Sequence, residues 1–339
     1  MDQKLHEEAA RRPQGRIGGK VARGASLLWL LSMGLRGINF LTTLVLARLL
    51  TPADFGLVAL AGAVAGVIDI LSNVQTSAAI IKEEQPDRGH FDTAFTINLL
   101  RSALTAAILV VVAGPIAAFM DSPNLEPVLY ALILPSVALG LTNPYFIVYA
   151  RQLDFRLETR RRTAAAVIGS VAAILIAVAT RSYWALVAST VLNAMVMVAL
   201  SYWKVPGRPR LSLSHWRDIF GFGSWLLLYR LLQYVGNRFD FFYIPRVMDK
   251  ATLGAYSVSA QINRVASGDL VPVLSKALFP AFSAMRDQPE RMRRNYLRVQ
   301  AVAVATALPI GIGMGLLSEP MILLFLGRQW DLAILITQI

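Results

Sequence analysis

From Ser182 to Trp203 the chain carries no Lys, Arg, Asp or Glu, and the same holds from Ser102 to Met120 and from Val299 to Ser318. A helix that crosses a bilayer needs about 20 mainly apolar residues. Runs of this length confine the chain to an all-α polytopic membrane fold, since a soluble domain has no interior for them. A content of 55% hydrophobic and 16% charged residues agrees. The criterion predicts helices at about 24–47, 55–81, 91–119, 126–150, 162–180, 182–203, 216–245, 252–280 and 296–326, with another starting at 331. Many connections are marked by Pro or Gly, as at Pro52, Pro86, Pro123, Pro206-Gly207 and Pro289.

Most Lys and Arg fall on alternate connections, which sets the orientation. Residues 1–23, 151–162, 204–217 and 276–298 are rich in them, whereas the opposite side has only Arg48, Arg181, Arg246, Lys250 and Arg328. The positive side faces the cytoplasm, so the N-terminus is expected there. The Arg-rich stretch 280–298 is expected to lie along the membrane surface as a helix leading into the ninth span. The expected organisation is a tail at 1–23, a six-helix lobe at 24–203, a linker at 204–215 and an incomplete second lobe at 216–339.

Two lobes are also written into a repeat. Residues 39–57 and 237–255 keep Asn39/Asn237, Arg48/Arg246, Ala53/Ala251 and Gly56/Gly254 in register. Internal repetition of this kind is typical of transporters.

Charge inside the spans is the chemically informative set: Arg36, Arg101, Arg230, Arg238 and Arg264, against Asp69, Asp240 and Asp269. A charge at the bilayer centre costs on the order of 2.5–3.5 kcal/mol even on a lenient scale. Helical spacing aligns Ser32, Arg36, Asn39 and Thr43 on one face, and Asp69, Ser72, Asn73 and Thr76 on another. It does the same for Arg230, Gln233, Tyr234 and Asn237, and for Ser257, Gln261, Arg264 and Gly268. Four polar faces on the first helix pair of each lobe predict a polar lumen between the lobes. Arg36 lies about 18 Å into its span, and Arg230 and Arg264 are similarly deep. Arg101 and Arg238 are close enough to an interface to reach water. Since arginine outnumbers aspartate, an anionic ligand would supply the missing counter-charge. A planar guanidinium suits phosphate because it donates two parallel hydrogen bonds. The expected cavity residues are Arg36, Asn39, Arg230, Asn237, Gln261 and Arg264, with Asp69, Asp240 and Asp269 as ion-coupling candidates.

Other chemistry is disfavoured. The net charge of +12 suggests nucleic acid, but the basic residues lie between apolar spans as topology signals. There is no cysteine, and His6, His90 and His215 are too scattered in sequence for a metal cluster, so no metal or cofactor is expected. The external connections are too short to present acid and base residues, so the chain is not expected to be an enzyme. A multidrug or cation antiporter and a membrane polysaccharide polymerase are the alternatives. The antiporter would want carboxylates where arginines dominate.

The phrases LARLLTPADFGLVALA (46–61), SAAII (77–81), WALVAST (184–190), LGAYSVSAQI (253–262) and LFPAFSAMRDQPERMRRNYLR (278–298) resemble the Wzx-like polysaccharide-export flippases. These belong to the multidrug/oligosaccharidyl-lipid/polysaccharide exporter superfamily. The resemblance implies a V-shaped bundle of two six-helix lobes in the bacterial inner membrane. It implies translocation of undecaprenyl-pyrophosphate-linked oligosaccharide, with membrane lipids, a polysaccharide polymerase and chain-length proteins as partners. It places the pyrophosphate in a cationic cavity near the helices carrying Arg36, Arg230 and Arg264. Against that pattern the second lobe reads as truncated, ending within its fourth helix.

Overall fold

The computed structural model describes residues 17–72, 76–83, 86–152, 154–205, 207–216, 224–267 and 289–338. No strand occurs among the described residues. The segment expected as the first lobe contains α1 (Ile17–Leu49), α2 (Pro52–Ser72), α3 (Thr76–Lys82), α4 (Arg88–Phe119), α5 (Leu125–Ala131), α6 (Ile133–Gly140), α7 (Ile147–Arg151), α8 (Arg156–Thr180) and α9 (Trp184–Ser201). The second contains α10 (Ser224–Val247), α11 (Lys250–Ser267), α12 (Pro289–Phe325) and α13 (Asp331–Gln338).

Six described helices are long and apolar enough to cross a membrane: α1, α2, α4, α8, α9 and α12. The segment predicted as one helix over 126–150 is instead broken, bending by 59° between Leu125–Gly140 and Pro144–Ala150. Pro144 has no N–H to continue a helix. Asn143 turns the chain, its Oδ1 accepting from the Tyr145 N–H at 3.0 Å while its side-chain amide donates to the Gly207 carbonyl at 3.0 Å. α10 and α11 form where helices are expected, and over their described residues neither is among the candidate spans; residues 217–223 and 268–280 of the expected spans lie outside the described residues. Arg230, Arg238, Asp240 and Arg264 dilute the described stretches. α12 is described unbroken over 37 residues from Pro289, so the Arg-rich stretch from Arg291 is continuous with the ninth helix; residues 280–288 of the expected surface helix lie outside the described residues. At 1.5 Å per residue α12 is about 55 Å long and outreaches a hydrocarbon core of about 30 Å.

Small residues decide how closely the helices approach. α8 buries Ala165, Ala166, Gly169, Ala173 and Ala177, and α9 packs along it. The main contact between the lobes is α2 against α11. There Gly56 meets Gly254, and both are fully enclosed. A Cβ on Gly56 would sit 1.8 Å from the Lys250 carbonyl oxygen, and one on Gly254 would sit 1.8 Å from that of Pro52. Pro52 and Lys250 are themselves equivalent in the repeat. The crossing is therefore reciprocal, and only glycine permits it at either position.

Apolar clusters tie the lobes together around this crossing. Leu57, Leu60 and Val64 of α2 share a core with Leu125 and Leu129 of α5, Phe241 of α10 and Leu253 of α11. A second core joins Leu46 of α1, and Leu50 just after it, to Val258, Ile322, Leu326 and Trp330. The Trp330 indole N–H donates to the Ala47 carbonyl at 2.9 Å, closing the end of α1.

Candidate functional site

From the Gly56–Gly254 crossing toward the far ends of α2 and α11, the four repeat helices enclose a cavity of about 570 Å³. Arg36, Asn39 and Thr43 enter from α1; Phe55, Val58, Ala59, Gly62 and Ala63 from α2; Arg238 and Phe241 from α10; and Ser257, Gln261 and Arg264 from α11. An adjoining cavity of about 700 Å³ shares Arg238, Phe241 and Arg264 and adds Arg230, Gln233, Tyr234, Asn237 and Tyr256. All six residues expected at the cavity thus line one or the other. Asn39 and Asn237, equivalent in the repeat, fall in different ones.

Local contacts hold the lining in place. The Gln261 amide donates to Thr43 Oγ1 at 2.9 Å, bridging α11 and α1. Tyr234 donates to the Ala63 carbonyl at 3.1 Å, and Gly66 makes room for it, since a Cβ there would lie 2.0 Å from the phenol oxygen. The Arg264 Nε donates to the Ala260 carbonyl at 3.3 Å. Arg238, which sequence depth allowed to escape to water, instead lines both cavities with its guanidinium 4.5 Å from the Phe241 ring. Among the described residues, Arg230, Arg238 and Arg264 have no carboxylate within ion-pair distance.

The three aspartates differ. Asp69 accepts from the largely buried Arg101 at 2.6 Å, so Arg101 is paired rather than turned to the interface. Asp240 accepts from the Tyr256 hydroxyl at 2.6 Å. Asp269, with Gly268 and Asn73, lies outside the described residues.

Two arrangements escaped the sequence reading. Arg161 sits in a basic run that reads as a topology signal. Its neighbours Arg160 and Arg162 are exposed, whereas Arg161 is half-buried against a cavity of about 420 Å³ within residues 31–162. Its Nη2 donates to Glu158 at 2.8 Å and its guanidinium lies 4.3 Å from the Phe146 ring, leaving Nε and Nη1 without hydrogen-bond partners. The second concerns histidine, for which sequence separation misleads. His90 and His215 stack at 3.9 Å beside Asp87, so the expectation of scattered histidines is corrected. Nothing local in sequence signals this contact, because folding of the connection before α10 brings His215 onto α4.

Comparison with known proteins now bears on this geometry. Residues 45–335 match the family model described as "Polysaccharide biosynthesis protein". The chain belongs to this family. Succinoglycan biosynthesis transport protein ExoT of Rhizobium meliloti (strain 1021) is 25% identical over 92% of this chain and 64% of its own length. Lipopolysaccharide biosynthesis protein WzxC of Escherichia coli (strain K12) is 21% identical over 94% of this chain and 66% of its own. Teichuronic acid biosynthesis protein TuaB of Bacillus subtilis (strain 168) is 22% identical over 78% and 56%. The chain therefore spans less than two thirds of the length of the curated relatives it matches. In fold it is similar to an inward-facing multidrug resistance MATE family transporter of the MOP superfamily. That match has a TM-score of 0.62 and 15% identity, covering 90% of this chain and 76% of the other. The expected resemblance to Wzx-like flippases is borne out at the level of family and fold. The chain is a multi-pass protein of the bacterial inner membrane.

Proposed function

We propose that this protein takes part in polysaccharide export by translocating an oligosaccharide carried on a lipid diphosphate across the inner membrane. One observation carries the reading: Arg36, Arg230, Arg238 and Arg264 line two adjoining cavities between the lobes, together with Asn39, Asn237 and Gln261. Guanidinium groups stay charged when desolvated and bind phosphate oxygens bidentately, so they replace the water that a diphosphate must shed to cross. The amides of Asn39, Asn237 and Gln261 offer both donors and acceptors to sugar hydroxyls. Catalysis is not part of this reading.

In the orientation expected from the distribution of basic residues, the crossing at Gly56 and Gly254 closes the external end. The arginine-lined end then faces the cytoplasm, where lipid-linked sugars are assembled. Translocation requires the lobes to part at the crossing and close at the other end. Asp69 and Asp240 are the described candidates for coupling this motion to an ion. Each already has a partner whose exchange for a cation would alter contacts between helices. The antiporter alternative fits less well, because it needs carboxylates free to hold a cation.

The test replaces Arg36, Arg238 and Arg264 singly by Gln and follows the appearance of lipid-linked sugar on the outer face. Each loss removes charged hydrogen bonds of about 1.5–3 kcal/mol, so transport should fall on the order of tenfold to a hundredfold. Undiminished transport in all three would overturn the assignment.

A further inference from the structure

The strongest feature outside the central cavities lies where the connection before α10 crosses the start of α4. Residues 207–216 form a strap whose backbone is bonded to α4 side chains. The Arg210 N–H donates to Asp92 Oδ1 at 3.0 Å, that of Ser212 to Thr96 Oγ1 at 2.9 Å, and that of His215 to Thr93 Oγ1 at 3.2 Å. This register sets the His215 ring over Gly89, where a Cβ would lie 2.7 Å from it. The ring stacks on His90, and His215 Nε2 is 3.7 Å from Asp87 Oδ2.

We propose that Asp87, His90 and His215 form a divalent-metal site of zinc-type chemistry that staples the strap to α4. One donor atom from each side chain lies within 4.8 Å of the others. Two imidazole nitrogens and a carboxylate oxygen are a donor set suited to zinc, and they leave a fourth position for water. Metal–ligand distances of about 2.0–2.2 Å require donors about 3.4 Å apart, so the widest pair must close by at most about 1.4 Å while Asp87 and His90 part slightly. The present contacts of the three side chains favour that. His90 Nδ1 already lies 2.6 Å from Asp87 Oδ1 and faces the Asp87 N–H at 3.4 Å, so Nδ1 is the nitrogen a metal shared with Asp87 would take, in the tautomer with its proton on Nε2. Ser214 Oγ holds His215 Nδ1 at 2.9 Å and leaves Nε2 directed toward Asp87. The neighbouring Arg88 lies 3.6 Å from Asp92.

The site is tested on the full chain, purified in detergent with a tag free of histidine. Titration with Co²⁺ should give the visible absorption of a tetrahedral centre at one equivalent per chain, and Zn²⁺ should bleach it. His90→Gln and His215→Gln should each weaken binding at least about tenfold. His6→Gln should leave it unchanged. In the unmodified chain Zn²⁺ should also slow trypsin cleavage after the exposed Arg210. That second readout stands even if a variant folds poorly. Absence of stoichiometric binding, or binding that survives both histidine substitutions, would overturn the proposal.

Discussion

The hairpin of α1 and α2 and that of α10 and α11 begin alike and end differently. At the crossing end they correspond position by position. Gly56 faces Gly254. Thr51 caps α2, with its N–H and hydroxyl bonded to Asp54 at 2.9 and 2.7 Å. At the equivalent turn the residue types are exchanged: Asp249 caps α11, accepting from the Thr252 N–H at 2.6 Å. Arg48 donates to the Phe325 and Leu324 carbonyls at the end of α12. Its counterpart Arg246 reaches the other lobe, lying 3.7 Å from Asp121 and over the Phe119 ring just after α4. Toward the cavity the likeness fails. The first hairpin stays apolar enough to span, with Arg36 and the paired Asp69. The second carries Arg230, Arg238, Asp240 and Arg264 within its described residues. Repetition has kept the joint and changed the chemistry it serves.

The comparison breaks most sharply at the glycines. Gly56→Leu and Gly254→Leu should each destabilise by about 3 kcal/mol or more, read as a fall in thermal midpoint in detergent, and by similar amounts because the contact is reciprocal. Gly62→Ala, where a Cβ meets nothing within 4 Å, should be silent. Unequal losses at Gly56 and Gly254 would break the symmetry.

A smaller effect separates the cavity ends. Asp69→Asn leaves Arg101 buried without its carboxylate. Because Asp69 is half exposed, the loss should be about 1–2 kcal/mol rather than that of a fully buried pair, and the added change Arg101→Gln should restore part of it. Tyr256→Phe, which removes only a hydroxyl from Asp240, should cost less, about 1 kcal/mol.

The smallest difference is in the caps. Thr51→Ala and Asp249→Ala should each cost about 1 kcal/mol, and in the second the capping side chain is itself a carboxylate. Hydrogen bonds from the Thr252 side chain and backbone hold the Asp249 carboxyl below its ordinary value of 3.8. Its contribution is thus fully present above that value and is lost as acid carries the pH down through the lower folded one. Asp249→Asn should keep the cap and remove this acid sensitivity, as followed by unfolding between neutral and acid pH.

Much of this was legible in the residues. Apolar runs gave the helices, because helix periodicity is a local rule, and in-register Gly and Arg pairs marked the repeat, although not that Gly56 and Gly254 meet. The polar stripes located the cavity for the same reason: positions three, four and seven apart share a face. What escaped depends on distant chain. Arg238 is close to Pro245 in sequence, yet packing on Phe241 keeps it at the cavities. The break at Asn143 reflects a bond to Gly207, and the His90–His215 stack needs the strap. Partial burial of Arg161 between exposed arginines is likewise set by Phe146 and Glu158, not by its own run of charge.

The chain has no cysteine, so a single one can be placed without background. Gln261→Cys, on α11 at the cavity bridge to Thr43, puts the central claim to the most direct measurement. In sealed vesicles a membrane-impermeant maleimide should label it from the cytoplasmic face, and a lipid diphosphate should protect it. Labelling that the lipid diphosphate leaves unchanged would contradict the account.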